Sequence, residues 1–145
     1  MNRLTTFTLA VLLLAPRTSL RAVGVTNLRC EHVENPVGID VAQPRLSWTI
    51  SEPQAEISNS PSQVTRCVAQ TAYQVLVASS EELLKKDQGD LWDSGKVVSD
   101  QSIAVRYAGT TLASETRYWW KVRGYDQDGR ASAWSGAAKM MTGKM

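Results

Sequence analysis

The 145-residue sequence predicts an all-β protein, a β-sandwich of seven strands, and three observations predict it. Runs of alternating apolar and polar residues recur at turn-separated intervals. No stretch carries a long helical period. Five tryptophans stand beside a single phenylalanine, which suits two sheets closed over a few large rings.

The first strand is expected over Val25–Cys30, followed by a turn cluster, Asn35-Pro36-Val37-Gly38. In Arg45–Ile50, the residues Leu46, Trp48 and Ile50 alternate with Arg45, Ser47 and Thr49, a half-buried strand. Ser51 to Ala69 is polar and broken by Pro53 and Pro61, so it reads as a long loop. Ala72–Ser79 is the next strand, with Tyr73, Val75 and Val77 inward and Leu76 outward. Glu81–Lys86, capped by Ser79 or Ser80, can form one or two helical turns. Leu91–Val97 is a short extended piece, and Ile103, Val105 and Tyr107 alternate in another strand.

The most informative stretch is Thr116–Ser135, TRYWWKVRGYDQDGRASAWS. Tyr118, Trp120, Val122 and Gly124 share one face, and Trp119, Lys121, Arg123 and Tyr125 share the other. Asp126-Gln127-Asp128-Gly129 supplies the turn, and a returning strand follows from Arg130 to Thr142. Leu112 and Tyr118 have the spacing of a tyrosine corner, in which a Tyr hydroxyl bonds to backbone a few residues upstream. This pattern resembles an immunoglobulin-like, fibronectin type III-like sandwich.

Residues 1–22 stand apart. Arg3 precedes an apolar run, Leu4–Ala15, of roughly 12 residues, too short to span a bilayer and suited to a signal-peptide core. The expectation is a signal peptide over 1–22, a sandwich over 23–143, and a protein exported to the periplasm or the cell exterior. The net charge of +2 is dispersed, with 16 basic and 14 acidic residues and no basic cluster, which argues against nucleic acid as a partner. No membrane span is expected.

Chemistry-bearing constellations are sparse. Cys30 and Cys67 lack the spacing of a zinc site. They either pair as a disulfide, which export would permit, or remain thiols. Asp126 and Asp128 are the acidic pair nearest an aromatic, but a hairpin tip makes them turn formers first. Asp126-x-Asp128-Gly129 echoes the start of a calcium loop without its closing ligands. His32 stands between Glu31 and Glu34 with no nucleophile or metal partner marked. Hence no catalytic residue, no metal and no cofactor is assigned.

The outward row has more to offer. Trp119, Lys121 and Arg123 with Trp134 can form a cation–π ladder, as tryptophans do in the WSxWS boxes of cytokine-receptor fibronectin domains; Ser132-Ala133-Trp134-Ser135 is half of such a box. Three readings of this face stand: a stabilising ladder, an interface to a neighbouring domain, or a sugar-stacking platform. Leu76, Trp119, Tyr125 and Trp134 are the candidates for the last two.

Several ordered stretches resemble one family. They are Leu28–Glu31, Asn35–Asp40, Pro44–Trp48, Gln70–Val77, Leu91–Val97, Tyr118–Arg123 and Asp128-Gly129. Together they resemble the N-terminal immunoglobulin-like domain of bacterial α-L-rhamnosidases of glycoside hydrolase family 78, from about Val23 to Gly143. The resemblance implies a non-catalytic accessory domain, and a chain that is a fragment of, or truncated from, a larger enzyme. In that family, inverting hydrolysis of terminal α-L-rhamnosides is carried by acidic residues of a helical barrel far downstream, so no catalytic residue transfers to this chain. The implied partner is the downstream catalytic domain of the same enzyme. The alternative is a stand-alone carbohydrate- or protein-binding module, with rhamnosylated polysaccharide as a ligand.

Overall fold

The computed structural model describes residues 23–51 and 69–145. The residues outside this set include the expected signal peptide, most of the expected long loop, and Cys67.

Among these residues eight strands form two sheets, with one short helix beside them. The strands are β1 (Gly24–Cys30), β2 (Val37–Ile39), β3 (Arg45–Ser51), β4 (Ala72–Ala78), β5 (Trp92–Asp93), β6 (Val105–Arg106), β7 (Arg117–Tyr125) and β8 (Ala138–Thr142); the helix is α1 (Glu81–Lys85). One sheet has the order β1-β3-β6 and the other β2-β8-β7-β4-β5. All pairings are antiparallel except β2 with β8, which is parallel. The result is an immunoglobulin-like sandwich.

The described residues hold one short strand beyond the seven expected. The extra strand is β2, which falls on residues read as a turn. Gly38 has φ +85, so the segment carries turn chemistry, yet Met141 N–H bonds to Pro36 O at 2.9 Å and draws it against β8. The returning strand is also shorter than expected. Residues 131–137 form only an isolated bridge, Tyr125 to Ala131, and β8 begins at Ala138.

Alternation along β7 determines the core. Tyr118, Trp120 and Val122 face the opposite sheet and pack with Val25, Leu46, Trp48, Val75, Val77, Tyr107 and Met140. Trp120 and Leu46 are wholly buried. Trp48 meets Tyr73 edge-on at 5.2 Å, and its indole N–H donates to Gln70 Oε1 at 2.9 Å. The Gln70 amide donates in turn to the carbonyls of Ser99 (3.1 Å) and Gln101 (2.9 Å), so one buried glutamine ties the 97–104 segment to the core. Gly109 is required by close approach, because a Cβ there would lie 2.4 Å from Leu91 O and 2.6 Å from the Tyr107 hydroxyl. At the start of β7 the Tyr118 hydroxyl accepts from Ala113 N–H at 2.8 Å, and Leu112 is buried beside it in the core.

Candidate functional site

The candidate face is the outer side of β7. Its residues alternate with the core residues, so the sequence pushes Trp119, Lys121, Arg123 and Tyr125 away from the opposite sheet. Two pieces of chain then return over them.

The first is α1. Ser80 caps it, its hydroxyl accepting from Leu83 N–H at 3.3 Å, and Glu81 and Glu82 sit in its first turn, where the helix dipole favours negative charge. This short helix presents Leu84 to Leu76 and Ala78, with Leu83, Trp119 and Trp134 packed around them in a second apolar cluster. Leu76 is therefore buried at 1% exposure, not open to solvent as a docking candidate would be. Period two places it correctly on the outer face; the helix then covers that face.

The second piece is the 130–136 segment. It runs beside β7 without forming a regular strand, because serine side chains stand in for backbone. Ser132 N–H donates to Gly124 O at 2.8 Å, and Ser132 Oγ accepts from Gly124 N–H at 3.0 Å. Two residues earlier on β7, Ser135 N–H donates to Val122 O at 2.8 Å, and its Oγ accepts from Val122 N–H at 3.0 Å. The hydroxyls themselves donate hydrogen bonds to the carbonyls of Ala133 (2.7 Å) and Gly136 (3.0 Å). Between these serines Trp134 lies flat on two cations: Arg123 Cζ is 4.6 Å and Lys121 Nζ is 5.0 Å from its ring centre.

Each cation is further engaged. Lys121, only 7% exposed, pairs with Asp87 at the C-terminal end of α1. Arg123 Nε and Nη2 both donate to Gln74 Oε1, at 3.0 and 2.7 Å, and its guanidinium lies 5.7 Å from the Tyr125 ring. Lys96 approaches Tyr125 at 4.7 Å. Tyr125 is itself 8% exposed, so with Leu76 it departs from the expected open aromatic surface. Trp119 stacks on neither cation. It packs under α1, half-buried, with its indole N–H buried and unpartnered. The ladder is thus Lys121–Trp134–Arg123.

The acidic groups have structural duties. Asp126 Oδ1 accepts from the N–H groups of Asp128 and Arg130, both at 2.9 Å, and Asp128 pairs with Arg130 at 3.5 Å, so both carboxylates shape the β7 turn. Glu31 forks onto Arg45, whose hydrogen bonds hold its carboxyl below the usual carboxylate range. An open cleft beside β1 is lined by Asn27, Glu34 and Asn35, and Glu34 lies 3.8 Å from Arg29. Among the described residues no three His, Cys, Asp or Glu side chains are grouped to hold a metal. Cys30 is buried with its thiol 3.7 Å from Met140 Sδ, and burial pushes its pKa up to about 12. Its partner in the disulfide reading, Cys67, lies outside the described residues. No helix among these residues is long and apolar enough to cross a membrane.

Sequence reasoning missed a set of exposed apolar side chains: Val33, Val37, Val41, Val98, Ile103 and Met145. Five of them lie in a loop, a short edge element or at the chain end, where no periodicity marks them; Ile103, expected to alternate with Val105 and Tyr107 in a strand, lies ahead of β6 and is 67% exposed.

Comparison with known proteins places this geometry in context. Residues 25–145 match the family model described as Rha78A-like, N-terminal immunoglobulin domain. An α-L-rhamnosidase of Streptomyces avermitilis is 46% identical over 126 residues, covering 87% of this chain and 11% of that protein. One from Formosa agariphila is 39% identical over 105 residues, covering 72% of this chain and 10% of the relative. Among solved structures, the Streptomyces avermitilis α-L-rhamnosidase complexed with L-rhamnose superposes with a TM-score of 0.69 at 47% identity, over 84% of this chain and 11% of its own. The α-L-rhamnosidase from Dictyoglumus thermophilum gives 0.72 at 35% identity, over 83% and 12%. This chain therefore spans about a ninth of the length of the relatives it matches.

Proposed function

The chain belongs to the Rha78A-like N-terminal immunoglobulin-domain family, and from that premise we propose that it is the non-catalytic N-terminal accessory domain of an α-L-rhamnosidase, packing against and positioning a catalytic domain in the same polypeptide. The observation that carries this reading is the extent of the match. The family covers residues 25–145, while the matched relatives devote only 10–11% of their length to it. Hydrolysis of terminal α-L-rhamnosides then belongs to the rest of such an enzyme. The acidic pair nearest an aromatic supports this division, since Asp126 and Asp128 are occupied by turn hydrogen bonds and an ion pair.

The arrangement of the aromatic face favours an accessory role over a sugar-stacking platform. A sugar stacks on an open ring face, and the Trp134 ring already carries Lys121 and Arg123, while Tyr125 is buried. Export, with residues 1–22 as a signal peptide and 23–143 as the sandwich, completes the proposal. N-terminal sequencing of secreted material checks it: a first residue near Val23 is expected, and retention of Met1 would contradict it.

The accessory role is tested with a chimaera in which residues 23–145 replace the matching segment of the Streptomyces avermitilis relative, set against the same enzyme with that segment deleted. The chimaera is expected to hydrolyse a chromogenic α-L-rhamnoside and to unfold in one transition. The deletion is expected to lose thermal stability, and the 145-residue chain alone to give no turnover. A deletion that keeps full stability and activity would overturn the reading.

A further inference from the structure

Four of the exposed large apolar side chains come from segments that meet at one end of the sandwich. Val33 (54% exposed) is in the β1–β2 loop, Val37 (76%) begins β2, Val41 (41%) follows it, and Met145 (45%) lies after β8. Solvent-exposed valines on a short edge strand and beside it are a liability unless something covers them.

The same end fixes how the chain leaves the sheet. Gly143 N–H bonds to Ile39 O at 2.6 Å, Glu115 N–H to Gly143 O at 3.0 Å, and Met145 N–H to Ser114 Oγ at 3.1 Å. Thr142 Oγ1 accepts from Thr116 N–H at 2.9 Å and donates to Ala113 O at 2.6 Å. Gly143 lies so close to Gly38 that a Cβ there would be 3.2 Å from its backbone. Residues 142–145 are thus held between β2 and the 113–116 loop, so the chain leaving β8 is fixed to the sandwich as far as Met145.

Resting on the accessory-domain reading, we propose that this end, with Val37, Val41 and Met145 at its centre and Val33 at its rim, is the surface on which the downstream part of the rhamnosidase polypeptide seats, forming a rigid junction. The occupant follows from the comparisons. The family is an N-terminal domain and makes up only 11% of the Streptomyces relative, so most of such a protein continues from the β8 end and meets this surface first. An apolar centre flanked by hydrogen-bonded polar groups is the composition of a packed interface. Val98 (83%) and Ile103 (67%) lie on the 97–104 segment anchored by Gln70, apart from this end, and serve as the comparison.

The chimaera with the Streptomyces relative tests the assignment, by scanning calorimetry and by trypsin cleavage at the junction after Met145. V37D/V41D is expected to split the single unfolding transition in two and to speed junction cleavage at least tenfold, whereas V98D/I103D behaves as the parent chimaera. V37S/V41S, which introduces no charge, is expected to shift both readouts in the same direction. The 145-residue chain carrying V37D/V41D should keep its own unfolding midpoint, showing that the side chains act at the junction and not in the fold. A single transition and parent-like cleavage in both Val37/Val41 variants would overturn the proposal, as would loss of coupling in V98D/I103D alone. A parent chimaera that already unfolds in two independent steps would instead sink the accessory reading itself.

Discussion

At the scale of single residues, the outer face of β7 is held by groups that substitute for missing strand structure. Ser132 and Ser135 each receive a backbone N–H of β7, from Gly124 and Val122, both of which are buried. Removing either hydroxyl leaves a buried donor unpaired, which costs about 1–3 kcal/mol. Ser135→Ala should therefore lower the urea midpoint by the equivalent of about 1–3 kcal/mol, while the neighbouring exposed Ala133→Ser leaves it unchanged. Alkaline titration probes the interior in a second way. Burial raises Cys30 from 9.0 and Tyr107 from 10.0, each to about 12, so the fold favours their neutral forms. That stabilisation is complete below pH 9 and disappears as pH rises towards 12. The urea midpoint should fall across this window, with a shallower fall in Cys30→Ala; a slope identical to that of the parent would refute the assignment of the thiol. Three of the four expected ladder residues were legible, because Trp134 stands near Lys121 and Arg123 once the hairpin is drawn; Trp119, the fourth, packs under α1 instead. The burial of Leu76 and Tyr125 was not, since period two tells which face a side chain takes and nothing of what later covers it.

At the scale of elements, α1 is the piece whose importance exceeds its five residues. It cannot be stable alone. Its place is secured by Leu84 in the second apolar cluster and by the Asp87–Lys121 pair just beyond it. Leu84→Ala should cost about 2–5 kcal/mol and leave Trp119 more open to iodide quenching, read against a Trp119→Phe control. Unchanged quenching would mean that α1 is not the cover. The capped helix and the longer strands β1, β3, β4 and β7 were readable from alternation, turn chemistry and the Ser80 cap. β2 was not, because a three-residue parallel edge strand containing a glycine at φ +85 has no periodic signature. Residues 131–137 misled in the opposite sense: they alternate like a strand, but their serine hydroxyls complete the ladder in place of a second row of backbone.

At the scale of the whole molecule, the sandwich closes its own aromatic face and leaves four of its six exposed large apolar side chains at the end from which β8 departs. This division argues for a domain that works through its end. The match to about a ninth of each rhamnosidase relative points the same way. The resemblance was legible because short motifs recur in a fixed order along the chain, although none is distinctive alone. The proposed docking end was invisible in sequence, because the segment carrying Val37 and Val41 lies beside the end of β8 only when β2 joins it in parallel. The most direct test is hydrogen exchange, comparing the 145-residue chain alone with the same residues in the Streptomyces chimaera. Slower exchange is expected at residues 36–41 and 143–145 in the chimaera, with no change along 131–135. Added protection along 131–135, or none at 36–41 and 143–145, would contradict it.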